Sequence, residues 1–286
     1  MSRNKGRVGS KNAAAATAPQ HVIQNSDAGA SLSFVVPTEF VDLPSEGKYY
    51  PEGHPLYGKD CIELKQMTAR EEDILSSRTL LKKGIALDRV IESIIIDKSI
   101  DPNSLLIGDR NAIIIATRVS GYGPEYATKV TCPECETSSK YAFDLREANI
   151  YNGGDSDDLQ ITDHEDGSFT TILPKTQLSV RYRLMVGHDE QGLVNAAKTS
   201  RKRKGPEHAI TKQLLNMIVS VNEDDDEEAL QYLVNNIPSM DSRHLRLAYK
   251  LTAPNVDLTQ FYECEECGFT QDMEVPLGAE FFWPDS

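Results

Sequence analysis

The sequence lacks an apolar run that could cross a membrane. A bilayer span needs roughly 20 consecutive apolar residues, and the apolar stretches at residues 94–96 and 113–115 fall far short of that length. The alanine run at residues 13–16 is too short and too weakly apolar for the core of a signal peptide. We therefore expect no membrane partner and a reducing compartment.

The sequence also lacks the short motifs that mark common active sites. It contains no nucleophile elbow, no P-loop and no dinucleotide fingerprint. The six histidines form no HxH or HxxxH pair and are scattered, at His21, His54, His164, His188, His208 and His244. We therefore predict no catalytic residues, no small-molecule substrate and no enzymatic activity. An enzyme with a deep pocket in a metal-stabilised fold stays open, because a sequence does not show pockets.

Basic side chains are in short supply, since 30 Lys and Arg stand against 44 Asp and Glu and the net charge is −14. A general nucleic-acid binder normally carries a basic face, so this balance argues against nucleic acid as a partner. The one dense basic run, at residues 201–204, is interpreted as a solvated helix end before a Gly-Pro stop.

Four of the five cysteines form two CxxC pairs, Cys132 with Cys135 and Cys264 with Cys267. Thiolates at this spacing supply two zinc ligands from one tight turn. The segments on either side of each pair are short, aromatic or β-branched, and partly alternating, which predicts a β-hairpin with the pair at its tip. Two such hairpins sharing one Zn²⁺ make a zinc ribbon. Four cysteine ligands leave no position for water, so the predicted metal role is structural.

Two other uses of these cysteines compete with zinc binding. A redox CxxC needs a βαβ context with the first cysteine at a helix N-terminus, whereas the flanks here resemble strands. Disulfides form in oxidising compartments, but no signal peptide is visible and the cysteine count is odd. The fifth cysteine, Cys61, is interpreted as a small buried or half-buried hydrophobe.

The pattern along the chain predicts an α+β fold with mostly short helices in two blocks, and with β-hairpins that form the four-cysteine zinc ribbon. Five segments are predicted: a disordered tail at 1–33, an extended proline- and aromatic-rich arm and strand at 34–66, a helical block with the first hairpin at 67–151, an acidic linker at 152–168, and a strand pair, helical block and second hairpin at 169–286. The arm is expected to lie across a surface, either that of its own core or that of a partner.

Several helix boundaries can be predicted from capping residues. Thr68 and Glu71 form a capping box that starts a helix running to about Lys83. Asp109 and Asp241 are predicted N-caps of two later helices, and another helix is predicted over residues 207–221. Near the C-terminus, the apolar residues 281–283 are expected to pack on the core, with a contact to another subunit as the alternative.

Several motifs in the first half resemble those of the T4-type bacteriophage baseplate hub assembly proteins. They are Pro-Thr-Glu-Phe-Val-Asp-Leu-Pro-Ser at 37–45, Tyr-Pro-Glu-Gly-His-Pro at 50–55, Met-Thr-Ala-Arg-Glu-Glu-Asp-Ile-Leu at 67–75, Leu-Lys-Lys-Gly-Ile-Ala-Leu-Asp at 81–88, and Gly-Asp-Arg-Asn-Ala at 108–112 leading to Gly-Tyr-Gly at 121–123. The paired cysteine hairpins are similar to those of the longer members. The resemblance covers residues 35–150 well and 170–280 more loosely.

This resemblance implies a tail protein needed to build the baseplate hub, either retained in the virion or acting as an assembly chaperone. It implies other baseplate hub or tail proteins as partners and no enzymatic activity. The expected location is the host cytoplasm during assembly and the tail baseplate of the virion. A zinc-ribbon protein associated with nucleic acid stays open as the alternative, and a salt-sensitive shift of DNA or RNA would favour it.

Overall fold

The computed structural model describes residues 35–154, 159–202, 209–276 and 279–282. The predicted tail at 1–33, the second half of the basic run and Trp283 lie outside these residues. The helices are α1 Ala69–Ser76, α2 Arg78–Lys83, α3 Ala86–Ile94, α4 Ile107–Tyr122, α5 Gly187–Lys202, α6 Ala209–Met217, α7 Glu227–Asn236 and α8 Ser239–Thr252. Within the described ranges, every helix is too short or too polar to reach across a bilayer.

The strands are all short and pair antiparallel. They are β1 Thr38–Asp42, β2 Cys61–Lys65, β3 Glu125–Thr131, β4 Ser138–Asp144, β5 Asn149–Tyr151, β6 Thr162–Asp163, β7 Ser168–Ile172, β8 Ser179–Arg183, β9 Ile218–Val221, β10 Asn255–Asp257, β11 Thr259–Glu263 and β12 Thr270–Glu274. They form the pairs β1-β2, β3-β4, β5-β10 and β11-β12, and one sheet in the order β6-β7-β8-β9. Separate helices and antiparallel sheets confirm the predicted α+β class.

The pairing of β5 with β10 joins the two halves of the chain. Ile150 of β5 lies opposite Val256 of β10, so the strand after the first cysteine hairpin is bonded to the strand before the second. Helix α4 packs against the same place, because a Cβ atom at Gly108 would overlap the carbonyl group of Pro254. This close approach of α4 to β10 fixes where the second hairpin begins.

The first helical block starts with the predicted capping box of Thr68 and Glu71, which is confirmed. The single helix expected from there to Lys83 is instead two helices, because Ser77 adopts an extended backbone (φ −67°, ψ 105°) between α1 and α2. Gly84 ends α2 in the left-handed conformation that glycine favours.

Glu71 is fully buried at the start of α1. Its carboxylate accepts hydrogen bonds from the Thr68 N–H (2.9 Å), the Thr68 hydroxyl (2.6 Å) and the Ser93 hydroxyl (2.6 Å), and it pairs with Lys65 Nζ at 2.9 Å. Burial raises the pKa of Glu71, but the hydrogen bonds from Ser93, Thr68 and Lys65 outweigh it and lower that pKa to about 2. Glu71 therefore ties α1, α3 and β2 together through one ionised group.

The proline-rich arm packs on the home core, with Leu43 and Leu56 each 1% exposed. Its anchor is Asp109, which accepts hydrogen bonds from Ser45 N–H (2.9 Å), Ser45 Oγ (2.6 Å) and Tyr50 Oη (2.7 Å). The prediction that Asp109 is an N-cap was wrong, because α4 begins at Ile107 and leaves Asp109 in its first turn. Burial raises the pKa of Asp109, and the hydrogen bonds from Ser45 and Tyr50 offset part of this rise.

Two boundaries in the second helical block also differ from the prediction. The helix expected over 207–221 ends at Met217, and residues 218–221 form strand β9 beside β8. Asp241 is not an N-cap, because α8 already begins at Ser239. The buried Asp241 carboxylate instead accepts the N–H groups of Lys175 (2.8 Å) and Thr176 (3.0 Å) at the β7–β8 turn.

Part of the segment expected to be a linker belongs to a sheet. Residues Thr162 and Asp163 form β6, which pairs with Thr170 and Phe169 of β7. Residues 155–158 lie outside the described part of this segment. The low apolar content of the segment fits an edge strand, which has only one bonded neighbour and an exposed surface.

A buried arginine holds the C-terminal segment. Arg118 is 0% exposed and donates to the carbonyl oxygens of Phe281 (2.6 Å), Gly123 (2.6 Å) and Glu125 (3.0 Å). Phe281 and Phe282 are buried, so the described part of the predicted apolar C-terminal plug packs on the core. Because Gly123 and Glu125 lead into β3, this arginine fixes the C-terminal segment beside the first hairpin.

The depressed pKa of Glu71 predicts an acid-dependent contribution to stability. The contribution is complete above the unfolded-state pKa of 4.5 and is lost as the pH falls toward 2. Glu71→Gln should lower the free energy of unfolding by about 2–3 kcal/mol at pH ~7, with the difference shrinking by pH ~3. Urea unfolding across this pH range measures it. The matched control Glu72→Gln, at an exposed position of the same turn, should stay within about 0.5 kcal/mol of the parent.

Candidate metal centre

Each CxxC pair lies at the tip of a β-hairpin, as the flanking sequence predicted. In the first hairpin, β3 and β4 are closed by a bond from the Cys132 N–H to the Thr137 carbonyl (2.9 Å). A second bond runs from the Glu136 N–H to the Cys132 carbonyl (3.0 Å). These two bonds curl the backbone so that the side chains of Cys132 and Cys135 share one side of the turn.

The second hairpin repeats this turn between β11 and β12. The Cys264 N–H bonds the Phe269 carbonyl (2.8 Å), and the Gly268 N–H bonds the Cys264 carbonyl (2.8 Å). Counted from the first cysteine of each pair, the donors and acceptors occupy the same positions as in the first hairpin. The two turns therefore present their sulfur atoms in the same local geometry.

The residue after the second cysteine is left-handed in both turns. It is Glu136 in the first, with φ 57°, and Gly268 in the second, with φ 70°. Glycine adopts this conformation without steric cost, whereas a residue with a Cβ atom is strained there. The first turn therefore carries a backbone strain that the second avoids.

The structure brings the four predicted cysteines to one point. Their sulfur atoms all lie within 4.8 Å of one another, although Cys132 and Cys267 are 135 residues apart. The Cys132–Cys267 and Cys135–Cys264 sulfur distances are 3.8 Å and 3.7 Å, far longer than the roughly 2.05 Å of a disulfide bond. Four sulfurs about 2.3 Å from one ion at tetrahedral corners stand about 3.8 Å apart, so these distances fit a tetrahedral centre.

The four cysteines are unequally exposed. Cys132 and Cys264, the first of each pair, are 0% and 2% exposed. Cys135 is half-buried and Cys267 is exposed. One side of the centre is therefore covered by the protein, and the other side faces solvent.

Backbone N–H groups stabilise negative charge on two of the sulfurs. The N–H groups of Cys267 and Glu266 lower the pKa of Cys264 to about 6 against the effect of desolvation. The hydroxyl and N–H of Thr137 lower the pKa of Cys135. The N–H of Phe269 acts in the same sense on Cys267, but desolvation and the other cysteines outweigh it and raise that pKa to about 12. Desolvation and the neighbouring sulfurs therefore oppose ionisation of Cys267, whereas local N–H groups favour it at Cys264.

Tyr262 lies directly behind the sulfurs and was not predicted as a site residue. Its hydroxyl is buried and, among the described residues, finds no hydrogen-bond partner of standard geometry. Desolvation, followed by the proximity of Cys264 and Cys132, raises its pKa to about 12. Cys264 and Ser139 are close enough to influence this hydroxyl, Ser139 in the opposite sense. A protonated hydroxyl beside these sulfurs is a donor suited to a thiolate, which fits a metal-loaded centre. The alternating pattern of β11, in which Tyr262 is buried and Phe261 is exposed, is the sequence signal that could have identified Tyr262.

The other candidate ligands lie elsewhere. Within the described ranges, the four cysteines form the one cluster of at least three His, Cys, Asp or Glu groups with ligand atoms close enough to share an ion. His54 bonds Ser104 and His244 bonds Thr171, so the environment of each is structural. Cys61 is half-buried, as its interpretation as a small hydrophobe predicted.

These features define an α+β protein in which two equivalent cysteine hairpins converge on one four-sulfur site. The chain belongs to the T4 bacteriophage base plate protein family, whose sequence model matches residues 36–283. This confirms the resemblance to baseplate proteins that the N-terminal motifs indicated, and the matched range includes both hairpins. No curated protein and no solved structure matches the chain.

The unequal strain of the two turns predicts opposite effects of substitution. Glu136→Gly should raise the free energy of unfolding by about 0.5–1 kcal/mol, because glycine relieves the left-handed backbone. Gly268→Ala should lower it by about 1 kcal/mol, although a Cβ there meets no atom within 4 Å. Chemical denaturation of both variants measures the two changes. A loss of stability in Glu136→Gly would show that its side chain contributes more than its backbone strain costs.

Proposed function

We propose that this chain is a hub protein of the phage baseplate that acts through protein–protein contacts and carries a structural zinc ion. It would serve either as a structural component or as an assembly chaperone. The observation that supports this proposal best is the convergence of four cysteines from two distant hairpins in a chain of the baseplate family. A protein of this family needs a defined shape more than a reactive group, which agrees with a non-enzymatic role.

Zinc is the ion that the donor set favours. Four thiolates in a tetrahedron suit Zn²⁺ or iron, and paired CxxC turns at hairpin tips are the usual arrangement of structural zinc sites. Cys132, Cys135, Cys264 and Cys267 would be the four ligands, and Tyr262 would donate a hydrogen bond to a sulfur. When bound, the ion would neutralise thiolate charge and hold the two turns together, with no position left for water.

The proposed ion would lock contacts that are individually weak. Between the hairpins, Tyr141 Oη donates to the Phe261 carbonyl (3.3 Å) and Gln260 Nε2 donates to the Asp144 carbonyl (2.8 Å). Net contributions of single hydrogen bonds are only about 1 kcal/mol, whereas zinc coordination couples directly to folding. A clamp of this kind would keep the middle of the chain and its C-terminal part in one fixed arrangement.

The partners would be other hub or tail proteins of the baseplate. Membership of the base plate protein family supports such partners, and we infer that the chain acts in the host cytoplasm during assembly and in the virion baseplate if it is retained. A nucleic-acid partner is disfavoured by the net charge of −14.

The metal assignment predicts the effect of removing one ligand from each hairpin. The double variant Cys132→Ser, Cys264→Ser should lose its zinc and melt roughly 10 °C or more below the parent, because the ion stabilises only the folded chain. Metal analysis by mass spectrometry and calorimetry measure both effects. The control Cys61→Ser should keep one zinc per chain and change the melting temperature little.

Two results would contradict the metal assignment. One is native protein without bound zinc. Protein that binds iron instead, recognised by its visible absorbance, counts as this result. The other is a double variant that melts with the parent. Neither result would contradict the hub assignment, which is tested separately.

The hub assignment predicts where the protein is found. Mass spectrometry of tail assembly intermediates should detect the chain together with hub proteins, and depletion of the chain should stop hub formation. Presence in purified virions would identify a structural component, and absence from them an assembly chaperone. Normal hubs formed without the chain would refute the assignment.

A further inference from the structure

Strand β1 lies at the edge of a two-stranded sheet, and its outer side is open. Its partner is β2, which pairs with it over Thr38–Asp42. At the ends of this pair, the Gln66 N–H donates to the Pro37 carbonyl (2.9 Å) and the Leu43 N–H donates to the Asp60 carbonyl (2.7 Å). Bonded positions alternate along an antiparallel pair. The odd-numbered residues of β1 therefore bond β2, and the even-numbered residues direct their backbone groups outward.

The outward groups are the N–H and C=O groups of Thr38, Phe40 and Asp42, which we call the open edge. Within the described ranges, no hydrogen bond reaches any of them. The outer side of β2 is different, because the Ile96 N–H donates to the outward carbonyl of Glu63 at 3.4 Å. Among the described segments, only the β1 side of this sheet is therefore left without a neighbour.

The open edge carries little protection against pairing with another strand. Edge strands are commonly blocked by proline, by charge or by a covering segment. Pro37 lacks an N–H, but it occupies an odd position, so its nitrogen faces β2 and leaves the open edge unblocked. Asp42 places a charge only at the end of the edge. Phe40, at the middle of β1, is 64% exposed. An exposed aromatic ring beside free backbone groups indicates a site to which another strand can add.

The hydrogen-bonding groups of the open edge are complementary to those of the same edge in a second copy. When two β1 strands run antiparallel with Phe40 opposite Phe40, Thr38 of each copy lies opposite Asp42 of the other. All of these positions carry outward groups, so each outward N–H meets an outward carbonyl. A shift by one residue would instead place the outward groups against groups that already bond β2.

The side chains fit the same register. The two Phe40 rings become direct cross-strand neighbours, and each loses solvent exposure. Thr38 faces Asp42 and Glu39 faces Val41, so no like charges lie directly opposite each other, where they would be destabilising. The Glu39 carboxylates of the two copies lie on a diagonal of roughly 7–8 Å, which is the one like-charge contact between the paired strands.

Charges on the neighbouring strands do not oppose this register at short range. On the exposed face, β2 places Lys65 beside Thr38 and Glu63 beside Phe40. Lys65 therefore lies in the same cross-strand row as Asp42 of the second copy, with Thr38 between them. The two Glu63 residues are three strand spacings apart, roughly 14 Å. This separation exceeds the Debye length of about 8 Å at physiological salt.

We propose that the open edge of β1 pairs with the open edge of a second copy of this chain. The pairing joins the two sheets into one antiparallel sheet in the order β2-β1-β1-β2. Both copies use the same strand, so the contact is isologous and stops at a dimer. The proposal goes beyond the hub assignment, because it concerns copies of this chain and is tested with purified protein alone.

Sedimentation velocity on the full chain at ~100 µM tests the pairing, because a contact of micromolar affinity is populated at that concentration. The parent should form a dimer and nothing larger. Added salt should strengthen the dimer, because each copy carries a net charge of −14 and salt screens the repulsion.

The variant Phe40→Pro should weaken association at least about tenfold, since it removes an N–H from the open edge and puts its ring in the way of a second strand. The Phe40 N–H does not bond β2, so circular dichroism and metal content should match the parent. The matched control Phe40→Tyr keeps both the N–H and an aromatic ring, and it should associate as the parent does.

Disulfide trapping tests the register without relying on a proline variant. In a Cys61→Ser background, Phe40→Cys should give a covalent dimer under brief treatment with oxidised glutathione. Directly opposite bonded residues have Cα atoms about 5.5 Å apart, which suits a disulfide. Thr38→Cys in the same background should stay uncrosslinked, because the two Thr38 positions are about 13 Å apart in this register. A non-reducing gel measures both.

Three results would overturn the proposal. The first is a parent that stays monomeric at ~100 µM whatever the salt, which includes a monomer whose open edge binds a strand of a different protein. The second is a well-folded Phe40→Pro variant that associates as the parent does. The third is cross-linking of Thr38→Cys that equals or exceeds that of Phe40→Cys.

Discussion

Convergence of four sulfur atoms from two distant hairpins is the constraint on which this structure depends. All four lie within 4.8 Å, and they can do so only while both hairpins are held in register. The β5–β10 pair, the close approach of Gly108 to Pro254 and the bonds from Arg118 to the C-terminal segment supply that register. The helical blocks thus act as the frame that positions the cysteines, and the proposed ion would in turn lock the frame.

Electrostatics explains why such a centre would need a cation. Hydrogen bonds from backbone N–H groups and the Thr137 hydroxyl favour thiolate at Cys264 and Cys135, yet desolvation and then the neighbouring sulfurs raise the pKa of Cys267 to about 12. Four negative charges within a few ångströms repel strongly in a partly buried site. A divalent ion would remove this conflict, and the buried Tyr262 hydroxyl would then have an acceptor.

The sequence predicted the cysteine cluster better than it predicted the helical blocks that position it. The CxxC spacing and the alternating flanks located all four sulfur positions and both hairpins, because these signals are local. Asp109 and Asp241 were assigned as helix caps from local patterns, but tertiary donors from Ser45 and Tyr50, and from the β7–β8 turn, decide their actual roles. Residues 218–221 continued an apolar helical pattern and became a strand because β8 offers a free edge. Tyr262 was not predicted as a site residue, because the sequence does not show which face of each hairpin is buried.

Zinc K-edge X-ray absorption on the purified protein tests the central claim most directly, since it reports the ligands of the ion without altering any residue. The account predicts one zinc per chain surrounded by four sulfur atoms at about 2.3 Å, with no nitrogen or oxygen neighbour. A shell containing nitrogen or oxygen, or fewer than four sulfurs, would contradict it, because the two hairpins would then not share one closed centre.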